Sequence, residues 1–214
     1  MKDIVKKIKT GLERTPLLTN LFGLITIYRW NHIWKNTPGA HPPAIIKQKA
    51  VIALAKKHNI RRLVETGTYM GDMINATKKI FRKIDSIELS REFYENAVKR
   101  FKDTSSIKIW NGDSALILPE IVNTLNESTL FWLDAHYSGG KTARSTLGDT
   151  PIGAELDIIF NKWIQGSIVL IDDARLFIGK DNYPTIDELT KIINTKSPLC
   201  DVRVNDDMIL ITEK

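Results

Sequence analysis

The chain has 214 residues, 43% of them hydrophobic, which suits one domain with a packed core and excludes an intrinsically disordered chain. Its formal charge of +6 is unevenly placed: residues 1–62 carry 13 Lys and Arg against 2 Asp and Glu, whereas residues 63–214 carry 18 against 23. The basic character belongs to the N-terminal segment and no aromatic-rich nucleic-acid motif accompanies it, so nucleic acid is not an expected partner; a single cysteine, Cys200, excludes an internal disulfide framework.

Residues 2–14 place Ile4, Val5, Ile8 and Leu12 on one face of a helix, with Lys2, Lys6, Lys7 and Lys9 around the rest. No uninterrupted apolar run or small-residue cleavage site follows, so this basic amphipathic helix does not read as a secretory signal, and the expected location is cytoplasmic. Residues 17–34 are richer in apolar side chains, but Asn20, Arg29, Asn31 and His32 interrupt them, and the stretch is shorter than the roughly 20 clean residues of a spanning helix. It is expected to pack on the domain or across a homodimer. Peripheral membrane contact, with Trp30 and Trp34 at the interface and lysines toward anionic lipid, is the alternative. Thr37-Pro38-Gly39-Ala40-His41-Pro42-Pro43 breaks the chain and divides a helical appendage, 1–43, from a domain, 44–214.

The domain opens on a helix at 44–58, stopped by Asn59. A short strand, Leu63-Val64, then ends in Glu65, followed by Thr66-Gly67-Thr68-Tyr69-Met70-Gly71 and a helix over 72–82. Strands are predicted at 84–88, 107–110, 129–134 and 167–172, with helices at 91–102, 114–125, 151–163 and 185–194. Strict alternation implies a parallel sheet covered on both faces. The last two strands, 199–204 and 208–212, are joined only by Asn205-Asp206-Asp207, so they form a hairpin and the final strand runs antiparallel.

A buried strand that runs through a glycine turn into a helix sets backbone N–H groups and a positive helix end beside one small ligand. The turn is not G-x-G-x-x-G, so the close-approach glycine of a dinucleotide site is missing, and Glu65 suits a cationic ligand better than a phosphate. Glu65-Thr66-Gly67-Thr68-Tyr69-Met70-Gly71, Glu88 ending the second strand, Gly112-Asp113-Ser114 after the third, Asp134 ending the fourth and the closing hairpin together resemble the class I S-adenosylmethionine (SAM)-dependent methyltransferases. The resemblance spans about residues 44–214. It implies a Rossmann-like α/β fold with a mainly parallel seven-stranded sheet. It also implies that Glu65, Gly67 and Gly71 surround the methionine part of SAM, that Glu88 accepts from the ribose, that Asp113 and Ser114 border the adenine, and that Thr68, Tyr69 and Asp134 also contact the cofactor.

Adjacent parallel strands bring their C-terminal ends together, so Asp134, Asp172 and Asp173 should converge at the rim where ligands bind. Three clustered anions repel one another unless protonated or bound to a cation, and all-oxygen ligands favour Mg²⁺, Mn²⁺ or Ca²⁺. The pattern is similar to the divalent-metal-dependent O-methyltransferases, both the catechol type and the macrocin-type sugar enzymes, in which matching positions hold a metal, most often Mg²⁺. The catechol enzyme has a lysine where this chain has Tyr137, so His136 becomes the candidate general base beside Asp134. Tyr137, Lys141 and Arg175 are candidate acceptor contacts. Residues 131–140 and 170–176 also resemble a bacterial family associated with surface-polysaccharide genes.

Gly139-Gly140-Lys141-Thr142 ends like a P-loop, but no helix follows at once, and a flap over the site fits better. The expectation is a metal-dependent O-methyltransferase acting on a hydroxyl of a small molecule or sugar. A metal-independent methyltransferase and a non-catalytic SAM-binding scaffold at a membrane are the alternatives.

Overall fold

Strand β1, Arg62–Thr66, is an inner strand of the sheet and is buried along its whole length. A computed structural model describes residues 16–37, 40–135 and 150–214, with side chains from residue 21 onward. The chain divides between Lys49 and Ala50 into two compact units. In the first, helix α1, Pro16–Arg29, passes into a π-helical turn, Trp30–Trp34, closed by Lys35 N–H on the Trp30 carbonyl at 3.0 Å. The single helix predicted over 17–34 therefore changes its winding at Trp30. The wider turn shifts the phase of the side chains that follow. Trp30 is buried, while Leu21, Phe22, Leu24, Ile25, Tyr28, Ile33 and Trp34 are exposed, and the Arg29 guanidinium lies 5.6 Å from the Trp34 ring centre. No helix among the described residues is long and apolar enough to cross a membrane.

After helix α2, Ala44–Lys57, which carries the division between the units, the second unit alternates as its sequence implies. Following β1 come α3 (Asp72–Thr77), β2 (Lys83–Glu88), α4 (Arg91–Phe101), β3 (Ile107–Asn111), α5 (Ser114–Asn123) and β4 (Thr129–Leu133). Then follow α6 (Ile152–Asn161), β5 (Ile168–Ile171), α7 (Ile186–Lys196), β6 (Cys200–Asn205) and β7 (Met208–Glu213). The seven strands form one sheet in the order β3-β2-β1-β4-β5-β7-β6. All pairs from β3 to β5 are parallel, and β7 runs antiparallel to both β5 and β6. Asp206 (φ 47°) and Asp207 (φ 58°) turn the last hairpin, the two positive φ values of a type I′ turn, which matches the strand twist.

Successive residues of each central strand feed opposite cores, so the strands read as continuous apolar runs. Val64, Phe131, Leu133, Val169 and Ile171 pack with α5, α6 and α7. Leu63, Ile84, Leu130, Trp132 and Leu170 pack on the other face with α3, α4 and part of α2. On α4 the spacing Phe93, Ala97, Phe101 sets one apolar stripe inward. Full burial of residues such as Leu63 and Val64 stabilises the fold by about 1.5–3 kcal/mol each.

Two local differences arise from side chains. Helix α3 stops at Thr77 instead of reaching 82: the Thr77 hydroxyl donates to the Met73 carbonyl at 2.7 Å, the chain tightens, and Phe81 turns into the core. After β5 a 3₁₀ turn, Ala174–Leu176, occupies what the sequence reads as loop. Cys200 is buried at the start of β6, where burial pushes its thiol up, as befits an inert packing residue. Strand order reverses between β1 and β4, the place in such sheets where ligands bind at the carboxyl ends of the strands.

Candidate functional site

The turn after β1 depends on glycine at two points. Gly67 has φ 88°, and a Cβ there would sit 2.5 Å from the Asp134 carbonyl oxygen, so the turn lies directly on the end of β4. Gly71, at φ 75°, is the residue before α3, where a Cβ would meet the Phe101 ring at 2.7 Å. Tyr69, at φ 47°, is half exposed and meets the Phe93 ring edge-on with centroids 4.8 Å apart. The Arg100 guanidinium clamps the turn by donating to the Met70 carbonyl and, at 2.8 Å, to Asp72 Oδ1.

Glu65 is fully buried at the end of β1. Its Oε2 accepts from Ser86 Oγ at 2.5 Å, and Thr68 Oγ1 lies a further 2.5 Å from Ser86 Oγ. Burial pushes the Glu65 carboxyl up to about 8; the Ser86 hydroxyl opposes this, and the nearby Asp134 and Glu88 charges add to it. At the end of β2, Glu88 accepts from the Tyr69 N–H at 2.7 Å on one oxygen and from the Ser90 N–H at 2.8 Å on the other. Burial raises its pKa, and those backbone donors restrain the rise. Glu65, the glycine turn and Glu88 thus form one continuous cradle. Asp113 caps α5 by accepting from the Ala115 N–H at 3.0 Å, which sets buried Ser114 at the helix N-terminus.

The carboxylates after β4 and β5 do not form the expected trio. Asp134 and Asp172 line one small open cleft with Thr150, Ile152, Glu155, Phe177 and Tyr183. Asp172 Oδ1 accepts from the Asp173 N–H at 2.8 Å. Asp173 adopts a left-handed backbone, φ 57°, which turns its side chain to the Arg175 guanidinium at 2.6 Å. Arg175 also pairs with Asp207, so it is an organiser of the turn rather than a residue of the cleft wall. Among the described residues no three His, Cys, Asp or Glu groups are placed to share a metal ion. The candidate base His136 and the candidate acceptor contacts Tyr137 and Lys141 lie outside the described residues.

Glu155 is the cleft residue that sequence reasoning passed over. It sits in the first turn of α6 and is fully buried, and burial pushes its carboxyl up to about 7; the nearby Ser114 and Thr66 hydroxyls lower it, while Asp113 and Asp134 raise it. Those two hydroxyls are its polar partners, with Glu155 Oε1 and Thr66 Oγ1 themselves standing outside close hydrogen-bond geometry. The available signal is positional: Glu155 falls on the apolar stripe Ile152, Leu156, Ile159, where an acid is out of place.

No protein-family model and no curated protein matches the chain. Solved structures do. The chain is similar to the methyltransferase PaMTH1 of Podospora anserina, solved with bound S-adenosylhomocysteine (SAH), at 18% identity over 99% of this chain and 96% of that one, TM-score 0.59. It is similar to the O-methyltransferase TomG of Streptomyces achromogenes, involved in tomaymycin synthesis and solved with SAM, at 15% identity over 89% and 96%, TM-score 0.61. It is also similar to an O-methyltransferase of Bacillus cereus in complex with SAH, at 13% identity over 89% and 97%, TM-score 0.62. With its strand order, antiparallel last strand and paired strand-end acids, the chain has the Rossmann-like fold of the class I SAM-dependent methyltransferases.

Proposed function

We propose that this protein is a SAM-dependent O-methyltransferase acting on a hydroxyl of a small molecule or sugar. The observation that carries the reading is the pair Glu65 and Glu88 on neighbouring strand ends, flanking a glycine turn that has no room for a side chain at Gly67. The residues fit the cofactor. Buried Glu65 is stabilised as an anion by a cationic amino group, Glu88 offers its remaining lone pairs to ribose hydroxyls, and Asp113 and Ser114 border the adenine. Bound there, SAM supplies an electrophilic methyl group on a sulfonium. Asp134 stands between the cradle and the cleft, where with Asp172 it orients an acceptor hydroxyl toward the cofactor. His136 remains the proposed base.

A sugar acceptor, with a role in surface-polysaccharide synthesis in the cytoplasm, is supported by the resemblance of residues 131–140 and 170–176. Dependence on Mg²⁺ or Mn²⁺ is the second reading, favoured by Asp134 and Asp172 lining one cleft. Completing the set with Asp173 requires the Arg175 ion pair to open. The exposed apolar face of α1 and the basic segment before it support peripheral contact with an anionic membrane or a homodimer. We also propose residues 1–43 as an appendage to the domain.

The deciding experiment is transfer of labelled methyl from SAM to a panel of sugars, nucleotide sugars and catechols, with and without chelator. Transfer to a sugar supports the reading; binding of NAD in place of SAM overturns it.

A further inference from the structure

Charge in this chain follows the division between its two units. The first, residues 1–49, carries nine Lys and Arg against two acids, and the second, residues 50–214, carries 22 against 23. Both acids of the first unit, Asp3 and Glu13, precede α1, and none occurs between Arg14 and Lys49. A helix on the surface of a globular domain sets charged and polar residues on its outer side. Helix α1 does not.

Its two sides differ in what they meet. Gly23, Thr26, Ile27 and Trp30 recur at the helical spacing and are the shielded residues. A Cβ at Gly23 would stand 2.8 Å from Ile45 Cδ1, so this side is already packed within the unit. The other side, Leu21, Phe22, Leu24, Ile25 and Tyr28, is apolar as well, yet Leu24 is 60% and Tyr28 61% exposed. The wider winding of the π-helical turn adds Ile33 and Trp34 to the exposed residues. Exposed Arg29, over the Trp34 ring, and exposed Lys35 border them.

So continuous an apolar face marks a docking surface, and the charge around it decides the occupant. Two copies joined through this face would bring the same residues together and set positive charge against positive charge. Aromatic rings and cations bordering an aliphatic face are instead the composition of a helix lying between lipid headgroups and acyl chains. An anionic lipid surface meets both demands, since it offers phosphates to the acid-free unit and hydrocarbon to the open face.

We propose that α1 and its π-helical turn dock the protein on an anionic membrane surface, with Leu21, Leu24, Ile25 and Tyr28 toward the acyl chains and Arg29 and Lys35 at the phosphates. The inference does not depend on the reaction proposed for the second unit. It selects the membrane over the second copy because the first unit has almost no negative charge with which to bind itself.

The test uses the full chain as wild type, as Leu24→Ser with Ile25→Ser, and as Arg29→Gln with Lys35→Gln. The probes are vesicles of phosphatidylcholine alone and of phosphatidylcholine mixed with phosphatidylglycerol, at low and high salt. Co-sedimentation measures binding, sedimentation velocity the mass in solution, and thermal unfolding the integrity of each variant. The wild type should bind the mixed vesicles, more weakly in high salt, and should not bind the neutral ones. Both double variants should weaken that binding by about tenfold or more at an unchanged melting temperature. Absence of binding, equal binding to both vesicle types, or unchanged binding by the serine variant overturns the proposal. A lowered melting temperature in the serine variant would place the face inside the protein's own packing and overturn it too. A wild-type dimer that the serine variant converts to monomer would assign the face to a second copy instead.

Discussion

Glu65 and Ser86 are direct register partners on β1 and β2, and the Ser86 hydroxyl donates to the Glu65 carboxyl at 2.5 Å inside the core. Burial nevertheless holds the Glu65 pKa at about 8, so the ligand-free protein carries this acid protonated at neutral pH. A cationic cofactor needs the carboxylate, and its binding must therefore release a proton. Affinity for SAM should rise with pH by up to about tenfold per unit at acidic to neutral pH and pass through a maximum near pH ~8, where the ligand's own α-amino group begins to lose its proton. Calorimetry in two buffers of different ionisation enthalpy reads the proton directly. A flat profile across this window would show that Glu65 does not face the ligand's charge.

The same acids predict the pH dependence of the empty protein. Glu65, at about 8, and Glu155, at about 7, both hold protons in the folded state at pH values where the unfolded chain has lost them. Their contribution to stability therefore falls as pH rises from the ordinary carboxylate range to about 8, and is flat beyond it. Thermal unfolding across this range should show the decline, and Glu65→Gln should flatten it. A Glu65→Gln curve parallel to the wild type would contradict the assignment.

Gly67→Ala and Gly153→Ala should have opposite signs. The first meets the Asp134 carbonyl oxygen at 2.5 Å with φ 88° and should cost about 2–4 kcal/mol, together with SAH binding. The second lies in α6, where a Cβ meets nothing within 4 Å, and should stabilise by about 0.5 kcal/mol. Denaturant unfolding with SAH titration measures both. Equal effects from the two substitutions would mean that the turn is not held against β4.

Glu88→Ala removes the acceptor for the Tyr69 and Ser90 N–H groups and for the ribose. It should lose about 1.5–3 kcal/mol of charge-assisted hydrogen bonding, roughly ten- to a hundredfold in the Kd for SAM. NAD should bind neither protein. An unchanged Kd in Glu88→Ala would move this acid from the cofactor site to a role in holding the turn.

For the metal reading, EDTA should stop methyl transfer and Mg²⁺ or Mn²⁺ should restore it, while Asp134→Ala and Asp172→Ala lose turnover more than SAH binding. His136→Ala should slow transfer by about 10²–10⁴-fold, the range for a lost general base. Full turnover in chelator would leave a metal-free enzyme with Asp134 and Asp172 as hydrogen-bond acceptors.

Removal of residues 1–36 should leave a folded protein that still binds SAH, and should abolish binding to vesicles of anionic lipid if α1 lies on a membrane. Sedimentation with such vesicles, and with neutral ones as control, measures this. An unfolded product would place these helices in the core or in a dimer interface.

Element type and order were legible in the sequence because both depend on local periodicity. Continuous apolar runs such as 129–133 and 168–171 mark strands buried on both faces, and the apolar spacing of 93, 97 and 101 marks a helix face. The Asn205-Asp206-Asp207 link allowed only a hairpin, and the strand-end acids Glu65 and Glu88 were visible from their distance to the glycine turn. Only tertiary structure decided the surroundings of the acids. Burial sets the charge of Glu65, the left-handed backbone of Asp173 turns its carboxylate to Arg175, and β7 separates β6 from β5. Glu155 reads as an ordinary helix acid until α6 is packed against β1, because desolvation is a property of the neighbours brought to a residue, not of its place in the chain.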